Sequence, residues 1–462
     1  MNEVRVHEFP FQMAVVAACI FVIAGTLVPG VPLEFLRFVA LAVLAAQVWV
    51  ERRATGSLFL TSPPFLLAAI PTVFFSVLPG LLSINPIGRF RPEILSYIGS
   101  DAERIILVFS MAALVIHGVV CRFAVSSLRQ SGGGLLSHTK MTFSLVAVFS
   151  SVLFLTYGAL IWMADSFPWA SSIFGPFKTF AIPTLAFLMI CLVRWAADGG
   201  WGLKVLTITM FAATVAVLIV TREGKIPIFM VLAGWLYWLR LKNVPFRNIF
   251  LSGLAVILLA ISLIQISQII RTPHVSMLAN LTDDNPILRV LVRKAVWRQT
   301  ETGYCLLNVI DAHGDTPLQA SRQLFWLEGL VPRALWPDKP NMSKGDDYAT
   351  DYCKFIKGRA PSPTGRHSAS ITLLGQPIIH GGMTGLILHG GLLLFGLGGL
   401  AWATRSPGSL SSLTVVALLP WWIDFDQDFV LYVANLVKFF LIMLPMIFIV
   451  AFLDNNRKDE IP

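Results

Sequence analysis

Twelve residues, GLVPRALWPDKP at positions 329–340, set Arg333 and Lys339 on a backbone stiffened by Pro332, Pro337 and Pro340. Three pyrrolidine rings remove backbone freedom, so a folded loop holds both cations in place at low entropic cost. A guanidinium fixed in this way can grip two oxygens of a phosphate, and a neighbouring ammonium adds a point charge. The same residues permit a plainer arrangement, in which Arg333 pairs with Asp338 and only stabilises a turn. A second constellation, WWIDFDQDF at 421–429, places Asp424, Asp426 and Asp428 at alternate positions. Alternation in an extended turn can aim three carboxylates at a divalent ion. The plainer alternative is a solvated turn with one aspartate capping the helix that follows. The five cysteines show no CxxC spacing and no metal-ligand pattern. Cys19, Cys121 and Cys191 fall in apolar runs, whereas Cys305 and Cys353 lie in a long polar region and can pair if it faces an oxidising compartment.

The elements that must position these groups are set by composition. The chain has 462 residues, 56% hydrophobic and only 13% charged, with a mean hydropathy of +0.73. A soluble domain of that composition would expose large apolar patches, so the chain is expected to be an all-α integral membrane protein. Its net charge of +9 comes from lysines and arginines that punctuate apolar runs as flanking anchors, which argues against nucleic acid as a partner. A spanning helix needs roughly 20 mostly apolar residues. Runs of about that length lie near 11–29, 32–50, 59–84, 103–121, 141–165, 177–195, 202–220, 225–240, 248–270, 383–403, 408–424 and 428–453, twelve in all. Pro63, Pro64, Pro71 and Pro79 are expected to kink or split the third. The first follows MNEVRVHEFP without a clear cleavage site and reads as a retained helix.

Short-loop cations orient the chain. Placing the N-terminus in the cytoplasm puts fourteen arginines and lysines inside against seven outside, which predicts both termini cytoplasmic. Residues 1–270 then carry helices one to nine, 271–382 form one large periplasmic loop, and 383–462 carry helices ten to twelve with a short cytoplasmic tail. Such a loop is too long for a connection, and its aromatic residues argue that it folds. Within it, Leu288, Val292 and Val296 recur at i+4 beside Arg289, Arg293 and Lys294, predicting a helix over 285–310 lying on the membrane surface. Lys438, about 15 Å along the last helix, is expected to face the protein interior.

GLVPRALWPDKP, followed by GDDYATDY and then SASITLLGQPIIHGGMTGLILHGG, resembles the loop-to-helix passage of Wzy-type oligosaccharide repeat-unit polymerases, which are grouped with O-antigen polymerases and ligases. Twelve helices with one large periplasmic loop are similar to that family's layout. The resemblance implies a glycosyltransferase of the bacterial inner membrane that moves a growing glycan from undecaprenyl diphosphate onto a second carrier-linked repeat unit. It implies the lipid bilayer and the undecaprenyl diphosphate-linked oligosaccharide as partners, a co-polymerase that regulates chain length as a further one, and no cofactor. Arg222 in IVTREGKIP becomes the first choice for the diphosphate, with Lys225 beside it, followed by Arg333, Lys339 and Arg366. Arg366 adjoins His367 in SPTGRHSASIT, a turn suited to wrapping an anionic group. Arg222 also fits a plainer role, as a flanking anchor for its helix or a neighbour of Glu223 without substrate contact.

Transfer to a hydroxyl needs a base, for which Glu301, Asp338, His367 and His380 are the candidates. His380 precedes Gly381, Gly382 and Gly385, which also suit close packing of a neighbouring helix or a lipid chain. A ligase would share the carrier and differ in its acceptor. A transporter suits twelve helices but not a long aromatic loop without repeated halves. A membrane acyltransferase would set a histidine in an apolar intramembrane environment, and neither His117 nor His389 makes that case from sequence.

Overall fold

A computed structural model of the chain describes residues 8–54, 58–84, 95–127, 143–166, 168–220, 226–242, 298–318, 324–331, 335–340, 345–353 and 369–455, with a few single positions and short pieces between 244 and 296. Every described element is helical. In chain order they are α1 (Glu8–Leu27), α2 (Leu33–Ala54), a 3-10 turn (Leu58–Thr61), α3 (Pro63–Pro71), a π-helical turn (Thr72–Val77), α4 (Leu78–Ile84), α5 (Asp101–Ser127), α6 (Phe143–Ser166), α7 (Pro168–Asp198), α8 (Trp201–Val220) and α9 (Ile226–Lys242). Then follow α10 (Arg298–His313), α11 (Leu327–Leu330), α12 (Gly345–Asp351), α13 (Thr372–Ala403), α14 (Leu410–Ala417), α15 (Leu419–Trp422) and α16 (Phe429–Asn455).

Seven helices among the described residues are long and apolar enough to cross a membrane, so the chain is an α-helical membrane protein. Residues 181–197 of α7 are all buried, and α6, α8, α9, α14 and α16 pack around it. A helix that is apolar all round is a core helix, and α7 is the axis of the bundle. Of the four prolines expected to kink or split the third run, only Pro71 stands at an interruption. Pro63 and Pro64 take the first positions of α3, where no N–H is required, and Pro71 gives way to the π-helical turn. Most of the expected ninth span, 248–270, lies outside the described residues. The expected eleventh span, 408–424, is not one continuous helix: it passes between the two ends of the bundle as two short buried helices, α14 and α15, meeting at Leu418. Pro420 at the start of α15 has no N–H to continue the α14 ladder.

A buried ion pair fastens one end of the bundle. Arg37 of α2 donates to Glu103 of α5 through Nε at 2.6 Å and Nη2 at 2.7 Å. Ser76 Oγ at 2.5 Å and the Gly99 N–H at 2.8 Å donate to the same carboxylate, so both its oxygens are saturated. Tyr97 donates to the Phe75 carbonyl at 2.7 Å. Its ring forms a shelf under α10, where a Cβ on Gly303 would fall 2.5 Å from it. The surface-helix expectation for 285–310 is therefore corrected over its described part. Thr300, Gly303, Tyr304, Cys305, Leu306 and Val309 of α10 are buried, packed against α5 and α13.

The α10 helix also holds the described residues that follow α12. Cys305 and Cys353 form a disulfide, Asn308 Nδ2 donates to the Tyr352 carbonyl at 2.7 Å, and His313 Nε2 lies 2.9 Å from the Tyr352 hydroxyl. After α10 the chain repairs a break in α13. Gly382 has φ 60 and ψ −152 within that helix. The ordinary helical bond from the Met383 N–H to the Ile379 carbonyl is replaced by two others. Met383 donates to the Gly314 carbonyl at 3.2 Å, and the Ile379 carbonyl accepts from Leu318 N–H at 2.9 Å. A break at membrane depth needs such partners, because lipid supplies none.

Lys438 overturns its expected placement: the side chain is exposed, with its ammonium 4.9 Å from the centroid of Phe439. Phe439 in turn packs on Trp421, so the cation rests on a ring that is itself held by a second one.

Two substitutions test these attachments. Gly382→Ala must hold an alanine in a glycine conformation with its Cβ 2.7 Å from the Gly314 oxygen. The strain is on the order of 1–3 kcal/mol; a lowered melting temperature in detergent is expected, while Gly391→Ala, which meets nothing within 4 Å, is neutral or stabilising. Cys353→Ser opens a disulfide of sequence separation 48. Chain entropy sets the loss at about 4 kcal/mol, read from denaturant unfolding of the two proteins.

Candidate functional site

Where α10, the start of α13 and the start of α16 meet, the chain buries two of the three alternating aspartates. Asp426 and Asp428 are each 5% exposed. Asp426 pairs with Arg298 of α10, Nε to Oδ2 at 3.2 Å, and the arginine keeps 55% of its side chain exposed. Asp428 accepts from the Ile371 N–H and from Ser370 Oγ, the latter at 3.2 Å. Its own carbonyl accepts the first bond of α16, from the Tyr432 N–H at 2.9 Å, so it occupies the capping position.

Backbone strain holds the partner segment. Thr372, directly after Ile371, has φ 66, the one positive φ outside glycine among the described residues. Strained conformations of this kind persist where surrounding structure over-determines them, and they gather at functional sites. Here the Thr372 N–H donates to Ser370 Oγ and Thr372 Oγ1 accepts from the Leu374 N–H, both at 3.2 Å. Gln376 ties the layers together: its Nε2 donates to the Tyr348 hydroxyl at 2.9 Å, and its Oε1 accepts from the Val430 N–H at 2.8 Å.

Burial pushes the Asp428 carboxyl up to about 7, against the pull of its bonds to Ile371 and Ser370, with the Asp426 charge adding to the rise. Burial also pushes the Tyr348 phenol up, with Asp428 nearby contributing. A carboxyl of this kind exchanges its proton near neutral pH, as a general base does.

The three aspartates therefore do not act as one metal cluster. Asp426 faces an arginine, Asp428 faces a hydroxyl and an amide, and Asp424 sits half-buried in the turn. Among the described residues their oxygens do not form a metal-sized group. Of the other sequence candidates, Arg222, Lys225, Arg333, Arg366 and His367 lie outside the described residues. Lys339 is turned back on its own loop, its Nζ donating to the Gly329 and Val331 carbonyls at 3.0 and 2.8 Å. Asp338 is exposed in the Trp336–Lys339 turn, and Glu301 is half-buried in the first turn of α10. His380 stacks on Phe325, centroids 4.2 Å apart, within an aromatic group that includes His389 and Phe429.

Sequence reading missed Arg298, Ser370, Tyr348 and Gln376, which become neighbours only through the fold. The single available signal was an arginine opening the TGYCLLNVI helix. It also underrated His117. That residue is fully buried, with Nδ1 2.7 Å from Ser62 Oγ and Nε2 2.6 Å from Glu51 Oε2. The order serine, histidine, glutamate suggests a nucleophile with its base, but Ser62 is wholly buried at the start of α3, so no acyl group reaches it.

Fold and site together define a helical membrane protein with a buried carboxyl, raised by burial, where α10, α13 and α16 meet. No family model matches the chain, and no curated protein or solved structure does so.

The Asp428 shift carries a sign. Its folded value lies above the ordinary carboxylate value of 3.8, so the folded chain binds this proton more tightly than the unfolded chain. The stability it contributes is full below about pH 4 and is lost as pH rises through about 7. Asp428→Asn, neutral throughout, is expected to melt above wild type at pH 8, with the difference shrinking towards pH 5. Parallel melting curves across that range check it, and a constant offset would show that Asp428 does not titrate as described.

Proposed function

We propose that this chain is a glycosyltransferase of a bacterial inner membrane that polymerises lipid-linked oligosaccharide repeat units at the periplasmic face. The observation that carries the reading is Asp428, a buried carboxyl poised at about 7 with a hydroxyl already donating to it. The Ser370 hydroxyl marks where the acceptor sugar hydroxyl would sit. In the transfer, the acceptor oxygen attacks the anomeric carbon and the bond to the diphosphate breaks. Asp428 takes the hydroxyl proton, and undecaprenyl diphosphate leaves with the bonding pair. Cations at the membrane boundary offset its charge, for which Arg222, Lys225, Arg333 and Arg366 remain the sequence candidates. Arg298, half-exposed beside Asp426, joins them.

Two features support the outward orientation of this end. Disulfides persist in oxidising compartments, and the Cys305–Cys353 bond lies in the folded loop. Arg52, Arg122, Arg194, Arg240, Lys242 and Arg405 belong to the opposite helix ends, as expected of a cytoplasmic face.

Purified protein in lipid, given a synthetic undecaprenyl diphosphate-linked repeat unit, should build a ladder of products. Asp428→Asn is expected to slow elongation by about 10²–10⁴-fold, and Arg222→Ala and Arg333→Ala to weaken use of the carrier. A ladder also separates a polymerase from a ligase, which makes a single transfer to a different acceptor. Wild type that builds no ladder ends this reading, and full elongation by Asp428→Asn removes the base from it.

A further inference from the structure

At the end of the bundle opposite Asp428, α2, α3 and α5 enclose a second polar group made of Glu51, His117 and Cys121, all fully buried. His117 and Cys121 stand four residues apart on one face of α5. Glu51 comes from the last turns of α2. Their donor atoms lie within 4.8 Å of one another, with Nε2 2.6 Å from Glu51 Oε2 and 3.4 Å from Cys121 Sγ.

What surrounds the three atoms is as telling as the atoms themselves. Nδ1 of His117 is engaged by Ser62 Oγ at 2.7 Å, and Glu51 Oε1 accepts the Phe59 N–H. His117 and Glu51 thus each have an outer atom fixed by a neighbour and an inner atom turned towards the Cys121 sulfur. This is how metal ligands are oriented: the second nitrogen of a histidine and the second oxygen of a carboxylate are held by hydrogen bonds.

We infer that Glu51 Oε2, His117 Nε2 and Cys121 Sγ bind one divalent metal ion of borderline softness, with Zn2+ the best match. One oxygen, one nitrogen and one sulfur donor suit Zn2+ better than the oxygen-preferring Mg2+ or Ca2+. Bonds of roughly 2.0–2.3 Å in a tetrahedron space ligand atoms roughly 3.3–3.8 Å apart. The nitrogen-to-sulfur distance already fits, and the nitrogen-to-oxygen distance opens by about 0.7 Å on the same geometry. The short contact is the form in which a proton occupies the centre. Binding expels that proton and the Cys121 thiol proton to solvent, leaving a carboxylate and a thiolate to neutralise the ion. Gln47, 1% exposed and with its amide 3.5 Å from Glu51 Oε2, supplies a fourth oxygen donor on rotation of that amide. Arg240 acts electrostatically on both Glu51 and Cys121, and its charge opposes the ion. The site is therefore weaker than one built from four cysteines, and its role is to pin α2, the 58–62 turn and α5 together.

The inference is tested on the full chain in detergent, freed of any affinity tag, loaded with one equivalent of Zn2+ or Co2+ and desalted. Elemental analysis should find close to one Zn2+ per wild-type chain and almost none in His117→Ala. With Co2+, a thiolate-to-cobalt charge-transfer band is expected in wild type and should vanish in Cys121→Ser while the visible d–d bands persist. That spectral readout answers the question even if His117→Ala fails to fold. Wild type that keeps no metal, equal retention by His117→Ala, which would mean an adventitious ion only, or a charge-transfer band untouched by Cys121→Ser would each overturn the assignment.

Discussion

The buried pair between Arg37 and Glu103 is the constraint from which the loop end of the bundle is built. A carboxylate inside a membrane protein is tolerable only when its oxygens are occupied, and Glu103 receives Arg37 twice, Ser76 and the Gly99 N–H. Those four donors come from α2, the π-helical turn and the segment before α5. The pair therefore fixes the relative height of three parts of the chain, and with them the Tyr97 shelf on which Gly303 of α10 rests. Gly80 allows the guanidinium its place, since a Cβ there would fall 2.6 Å from Arg37 Nη1.

From that shelf the geometry passes to the candidate site by a short route. The α10 helix brings Arg298 to Asp426, and the turn after it supplies the carbonyl and N–H that repair α13 at Gly382. The residues leading into α13 and its first turns then present Ser370, Ile371 and Gln376 to the start of α16. A carboxyl kept at about 7 depends on this assembly, because burial raises it and only a rigid enclosure sustains burial. Loosening α10 would let water reach Asp428 and return it towards an ordinary carboxylate.

Much of the fold was legible in the sequence because apolar runs of spanning length are a strong signal. Pro71 also announced an interrupted third helix, since a missing N–H acts locally. The 408–424 run misled only in its continuity: Pro420 interrupts it after Leu418, and hydropathy averaged over a window does not register one missing N–H. Lys438 misled because an intramembrane charge calls for a partner, and the partner it finds is the ring of its chain neighbour Phe439 rather than a group in the interior. At the candidate site the alternation of Asp424, Asp426 and Asp428 was visible and their separate fates were not. Those depend on Arg298 and Ser370, distant in sequence by 128 and 58 positions respectively. Glycines around 381–385 pointed to close packing, but only the Gly314–Leu318 turn explains why Gly382 breaks its helix.

The sheathing of α7 has a consequence for how the protein meets bilayers of different thickness. Mismatch between a helix and the surrounding hydrocarbon is relieved by tilting or by deforming lipid, and both act on helices that touch lipid. Residues 181–197 are covered by neighbouring helices, while α8 and α16 display Ile208, Phe440, Leu441 and Phe448 on the outside. A thinner or thicker membrane therefore tilts the perimeter against a fixed axle, and the strain appears first at the contacts of α16 with its neighbours.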